Sequence, residues 1–284
     1  MNKTLVEANQ LSNPELRTKI INYVLVRQNE DGGYCFAQGA LESSSQDTYY
    51  GLAILSQLNS DFPKGDKTTE FLVQNRVDSI YSMYYTAKAQ LLLGSEINAQ
   101  LKKDIKLILE SNKYYGSSEF FCDISELTTT VMALELADLL KTNIPEAKIT
   151  KWLLSFQNAD GGFGPKSASN IDSTYCAIAC LAKLGFVPNP IDQTLRFIRS
   201  CEKPSGGFTV IPLNFNPYME YCYDGVMALE LLGKKSKYPS KTINWVLNCQ
   251  KITGGFARSD LGIATFTDTY YAIEILKNLS NEGA

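Results

Sequence analysis

Gln157-Asn158-Ala159-Asp160-Gly161-Gly162-Phe163 is one of four related stretches in this chain, and the spacing of the four decides the fold. The others are Gln28-Asn29-Glu30-Asp31-Gly32-Gly33-Tyr34, Pro204-Ser205-Gly206-Gly207-Phe208 and Ile252-Thr253-Gly254-Gly255-Phe256. The last three lie about 45 to 48 residues apart, and the first gap is close to three such intervals. A fixed period in this range marks stacked supersecondary units. Because glycine accepts left-handed backbone, each Gly-Gly pair is expected at a helix end.

A second element follows the turns: a small or polar residue, aromatics, then Ala and Leu at helical spacing. Its copies include Asp47-Thr48-Tyr49-Tyr50, Ser82-Met83-Tyr84-Tyr85, Ser173-Thr174-Tyr175-Cys176 and Asp268-Thr269-Tyr270-Tyr271. The identical segments Val131 to Leu136 and Val226 to Leu231 place two more units in register. Six nearly all-apolar helices are therefore expected, starting near residues 47, 82, 126, 173, 221 and 268. Amphipathic helices precede them, as at Glu15 to Arg27, Leu101 to Leu109, Lys148 to Phe156, Gln193 to Ile198 and Lys241 to Leu247. Each of these carries one solvated face. The alternation predicts an all-α protein of six helical hairpins, with an outer ring of helices around an inner ring. Strand signals are absent, and an unbroken repeat without a linker predicts one domain over residues 1–284.

The remaining inventory narrows the setting. No run of about 18 apolar residues is present, so no transmembrane segment is expected. Residues Met1 to Glu7 lack the apolar core of a signal peptide. Seven scattered cysteines do not form a disulfide framework, which predicts a reducing, cytoplasmic location. A net charge of -3 gives no reason to expect nucleic acid.

The Gly-Gly-Phe turns at 161–163, 206–208 and 254–256 resemble those of protein prenyltransferase β subunits. The wider group includes squalene and diterpene cyclases. The resemblance runs over roughly residues 12 to 280 and implies an α/α toroid with a central apolar cavity that holds an isoprenoid. Phe or Tyr in the turns, where the cyclases carry Trp, leans toward the transferases. A transferase of this family also implies a helical partner subunit, docked on the exposed outer helices.

The transferase resemblance implies zinc held by an Asp, a Cys two residues later and a His one repeat further on. Zinc binds and activates a thiol as thiolate. The corresponding residues here are Glu220, Cys222 and Asp268, with Tyr223 as a donor to the leaving group. The chain contains no histidine, and none of the residues from Thr209 to Gly233 is Lys or Arg, where the family grips a diphosphate. The residue types also suit plainer roles. Asp47, Ser173 and Asp268 are preferred N-cap types, and Cys222 is a small residue that packs well in a core.

The cyclase resemblance implies a different chemistry, protonation of an alkene by the middle Asp of an Asp-x-Asp-Asp motif. The nearest stretch is Asn170-Ile171-Asp172-Ser173-Thr174, which keeps that acid as Asp172. Burial would be needed to hold its proton without acidic neighbours on either side. In either chemistry, Tyr49, Tyr84, Tyr175 and Tyr270 are candidates to line the cavity. Aromatic faces bind an isoprenoid tail and stabilise cations, although periodic rings equally serve helix packing. Acidic residues recur at the same helix starts: Asp47, Asp123, Glu126, Asp172, Glu220, Asp224 and Asp268. The expected function is prenyltransferase-like handling of an isoprenoid diphosphate, with class II cyclisation by Asp172 as the alternative. A non-catalytic toroid that binds an isoprenoid or peptide is the third reading.

Overall fold

The computed structural model describes residues 10–40, 42–75, 77–116 and 125–281. Among these it contains twelve α-helices, no strand and several isolated antiparallel bridges. The helices are α1 (Pro14–Leu25), α2 (Ser45–Gln57), α3 (Gly65–Gln74), α4 (Ile80–Leu92), α5 (Ala99–Ser111) and α6 (Glu126–Leu140). They continue as α7 (Glu146–Leu154), α8 (Ile171–Lys183), α9 (Ile191–Cys201), α10 (Met219–Leu231), α11 (Pro239–Asn248) and α12 (Phe266–Asn281). The even-numbered helices begin within two residues of the six expected starts. Helix α3 completes the alternation of amphipathic and apolar helices. It has no side-chain cap, since Lys64 enters it in left-handed backbone.

The chain divides into two compact units, each carrying three of the apolar helices. One comprises Met1–Asn98 with Pro239–Ala284, the other Ala99–Tyr238. In the first unit α2 packs between α12 and α4, while α1, α3 and α11 lie on α2, α4 and α12. In the second unit α8 packs between α6 and α10, with α5, α7 and α9 against them. The apolar helices bury most of their length; in α8, Ile171, Cys176, Ala177, Ile178, Cys180 and Leu181 are all at or below 5% exposure. At about 25 cal/mol per Å² of apolar surface, this burial is the main favourable contribution to folding.

Their starts are set by local hydrogen bonds. Ser44, Ser79, Ser125 and Asn170 cap α2, α4, α6 and α8, each accepting a first-turn backbone N–H. Such caps satisfy donors that the helix itself cannot.

The Gly-Gly pairs do not end helices, as the sequence led us to expect. Helix α1 stops at Leu25 and α7 at Leu154, whereas the turns come at Gly32 and Gly161. Each pair closes a narrow turn whose flanks pair as isolated bridges, Gln28 with Tyr34 and Gln157 with Phe163. The first glycine is left-handed (φ +88° at Gly32, +87° at Gly161, +97° at Gly254) and lies against the next amphipathic helix. A Cβ there would strike backbone of Lys67, Gln193 or Lys19, respectively. Close approach of backbone to backbone, added to positive φ, is what requires glycine. The aromatic that follows is fully buried at Tyr34, Phe163, Phe208 and Phe256.

Candidate functional site

Each buried aromatic of the turns is tied to an apolar helix by one recurring bond. The backbone N–H of Tyr34 donates to Thr48 Oγ1 (3.0 Å), that of Phe163 to Thr174 (2.9 Å) and that of Phe256 to Thr269 (3.0 Å). In the fourth copy the N–H of Phe208 donates to Cys222 Sγ at 3.2 Å. Cys222 is therefore buried and occupied in the place of a structural threonine.

This placement bears on the zinc expectation. Asp268 accepts from the Thr265 hydroxyl (2.7 Å) and donates its N–H back to it (3.0 Å), within the first turn of α12. Among the described residues no group of three or more His, Cys, Asp or Glu side chains is arranged to hold a metal. The donor set does not fit a zinc centre, so no step below passes through one.

The remaining acids fall in two settings. Asp47 accepts the Phe36 N–H at 3.1 Å, and burial raises its pKa. Asp123 lies outside the described residues. Asp172 does not cap α8; Asn170 does, accepting from Ser173 N at 2.8 Å. In the second unit α8 and α10 pack side by side and bring Asp172 into the field of Glu220, while Asp224 lies in the fields of both. Burial is the larger cause raising the Asp172 carboxyl above its ordinary range, and Glu220 adds to it. Asp224 is only 6% exposed and is raised well above that range by burial, then by Asp172 and Glu220. The fold thus half-buries Asp172 and brings it an acidic neighbour, Glu220, that its flanking residues do not supply.

Tyrosines accompany the acids. Tyr175 of α8 and Tyr223 of α10 meet edge to face at 5.6 Å, with their hydroxyls 3.4 Å apart. Cys176 sits one turn beyond Asp172, its thiol raised by burial and by the fields of Asp172 and Asp224. In the first unit a larger cluster forms on α2, α4 and α12. Tyr49 contacts Tyr84 and Tyr270 at 6.5 and 6.3 Å, and the hydroxyls of Tyr50 and Tyr85 lie 3.2 Å apart. Tyr50 and Tyr85 are buried, while Tyr84, Tyr175, Tyr223 and Tyr270 are half-buried. Lys88 Nζ stands over the rings of Tyr84 and Tyr49, at 5.3 and 5.9 Å.

The sequence named Asp224 only among the recurring acids and gave it no role. A signal was nevertheless present. The sixth residue after each cap or entry position is Tyr50, Tyr85, Val131, Cys176 and Tyr271 in five helices, but Asp224 in α10.

With this geometry in place, comparison with known families identifies the class. The prenyltransferase alpha-alpha toroid domain model matches residues 3–80, 70–237 and 214–283, and the chain belongs to that family. Candida albicans protein geranylgeranyltransferase-I, solved in complex with GGPP, is 16% identical with a TM-score of 0.70. That match covers 94% of this chain and 92% of the other. The type II terpene cyclase MstE from Scytonema, as an arginine-to-alanine variant with geranylgeranyl dihydroxybenzoate, is 14% identical with a TM-score of 0.61. There 98% of each chain is covered. An aspartate-to-asparagine variant of MstE with the same compound gives 14% identity and a TM-score of 0.63, with 99% of each chain covered. No curated protein sequence matches the chain. Identities this low establish the shared fold alone.

Proposed function

We propose that this prenyltransferase-like protein handles an isoprenoid, holding its apolar chain against the tyrosine faces of the buried helices. The observation that carries the reading is the set of half-buried tyrosines, Tyr84, Tyr175, Tyr223 and Tyr270, on helices that bury about half or more of their residues. A ring with one open face in an apolar surround offers an alkene dispersion contact and a passing cation a quadrupole. Membership of the prenyltransferase alpha-alpha toroid family, and a fold shared with a GGPP-bound transferase and a cyclase bound to a geranylgeranyl compound, support the same substrate class. For a transferase, the exposed faces of α1, α3, α5, α7, α9 and α11 are where a helical partner subunit would dock.

A specific observation favours a second reading, in which Asp172 protonates an alkene. Burial, and after it Glu220, raises its carboxyl above the ordinary Asp range, and no cation among the described residues is a cause of that shift. The Asp172 O–H bond breaks, the alkene π pair forms a C–H bond, and positive charge appears at the neighbouring carbon. Tyr175 follows Asp172 by three residues on α8 and meets Tyr223 of α10 edge to face, and ring faces of this kind would stabilise that charge. Neither reading draws on zinc.

Incubation with oligoprenyl alcohols and diphosphates, followed by mass spectrometry and NMR, separates the cases. Cyclisation keeps the mass and removes olefinic protons; transfer adds the acceptor and releases diphosphate. We expect isoprenoid consumption that survives a chelator and falls on the order of 10²-fold or more in Asp172→Asn. Turnover indifferent to that substitution would remove Asp172 from the reaction. No isoprenoid consumed or bound would overturn the proposal as a whole.

A further inference from the structure

The two tyrosine groups differ in the charge set among them. In the second unit Tyr175 and Tyr223 share α8 and α10 with Asp172, Glu220 and Asp224, and the basic residue of those helices is Lys183, the last of α8. In the first unit the group on α2, α4 and α12 has a lysine inside it. Lys88 follows Tyr84 by one turn of α4, so the two side chains share a face. Its Nζ lies 5.3 Å from the centre of the Tyr84 ring and 5.9 Å from that of Tyr49 on the neighbouring α2. Tyr270 of α12 is 6.3 Å from Tyr49. The acids of α2 and α12 are held by other donors. Asp47 accepts from Phe36 and Asp268 from Thr265. Glu274, one turn beyond Tyr270, accepts from Gln57 and pairs with Lys277 at 3.5 Å.

A basic residue in the middle of an apolar helix calls for a reason. Among the described residues the six apolar helices contain two others, Lys183 and Lys277, both exposed and paired with Asp138 and Glu274. Lys88 is half-buried among rings. An ammonium there gives up part of its hydration, and aromatic faces return only some of that cost. A fixed cation also repels a carbocation on the same rings, whereas it attracts an anion. We propose that Lys88 receives the anionic head of the isoprenoid, a diphosphate or a carboxylate, while its chain lies on the faces of Tyr84 and Tyr270. The inference rests on the isoprenoid reading above and narrows it to chains with a charged head. Nζ donates to the head oxygens, the charge-assisted bond that the stretch from Thr209 to Gly233, without Lys or Arg, does not offer.

Geranylgeranyl diphosphate, geranylgeranoic acid and geranylgeraniol carry one chain on three heads, and their binding to the full chain by isothermal titration calorimetry tests this. We expect at least one of the two anions to bind about tenfold or more tightly than the alcohol. Whichever anion is preferred names the head. Lys88→Met keeps the stem and removes the charge, so it should erase the preference and leave the affinity for the alcohol in place. Lys88→Arg should retain the preference. Equal affinity for all three, or a preference that survives Lys88→Met, overturns the inference and leaves the isoprenoid reading standing. Binding of none of the three sinks that reading and the inference with it. If Lys88→Met does not fold, Lys88→Gln makes the same comparison.

Discussion

Thr48, Thr174 and Thr269 sit with no exposed surface, and each joins a turn to a helix. The Thr174 hydroxyl accepts from Phe163 and donates to the Asn170 carbonyl at 2.7 Å. Valine has the same shape but would leave both backbone groups without that partner. Thr174→Val should therefore destabilise the protein by about 1–3 kcal/mol in urea unfolding. Cys222→Thr restores the residue of the other copies and should fold at least as well as the parent, whereas Cys222→Val should lose stability. Indifference at both positions would remove the turn-to-helix bond from the account. The thiols give a second measure at this scale. Burial pushes Cys201 and Cys249 up to about 12, while Cys35 is half-buried. Brief alkylation of the native protein should mark Cys35 well before Cys201 or Cys249, because the thiolate is the reactive form and access limits it. Equal labelling, read by peptide mass spectrometry, would contradict the burial.

Between elements, the glycines of the turns set how closely successive amphipathic helices approach. Gly161→Ala combines a left-handed backbone with a Cβ pressed on the backbone of Gln193. We expect a loss of about 2 kcal/mol or more in denaturant unfolding. Gly185 is also left-handed (φ +76°), but a Cβ there meets nothing within 4 Å. Gly185→Ala should therefore cost less, and equal losses would dismiss the close approach. The pairing of α8 with α10 has a pH signature. Asp172 and Asp224 keep protons in the folded state at pH values where the unfolded chain, with Asp near about 3.9, has lost them. The unfolded state then binds fewer protons, so stability falls as pH rises from the ordinary Asp range through the raised folded values. Urea midpoints measured across that window should decline in the parent and decline less in Asp224→Asn. Parallel curves would mean that Asp224 is not protonated when folded.

For the molecule as a whole, the expected chemistry divides on metal. Protein grown with added zinc and purified without a metal-binding tag should carry far less than one zinc per chain, by elemental analysis. One zinc per chain, lost in Cys222→Ser, would restore the thiolate mechanism despite the bond from Phe208. No described helix is long and apolar enough to cross a membrane.

The repeat itself was legible in the sequence because its physics is local. Period, apolar runs, cap residues and the Gly-Gly-aromatic turns mark where the apolar and amphipathic helices alternate, and α3 completes the alternation. Tertiary structure decided what the sequence left open: that Cys222 fills a threonine's place, that Gly-Gly marks close approach and not a helix end, and that Asp172 is half-buried in the field of Glu220. A side chain's chemistry depends on burial and on charges brought from distant segments, and neither is written in the spacing of residues along one helix.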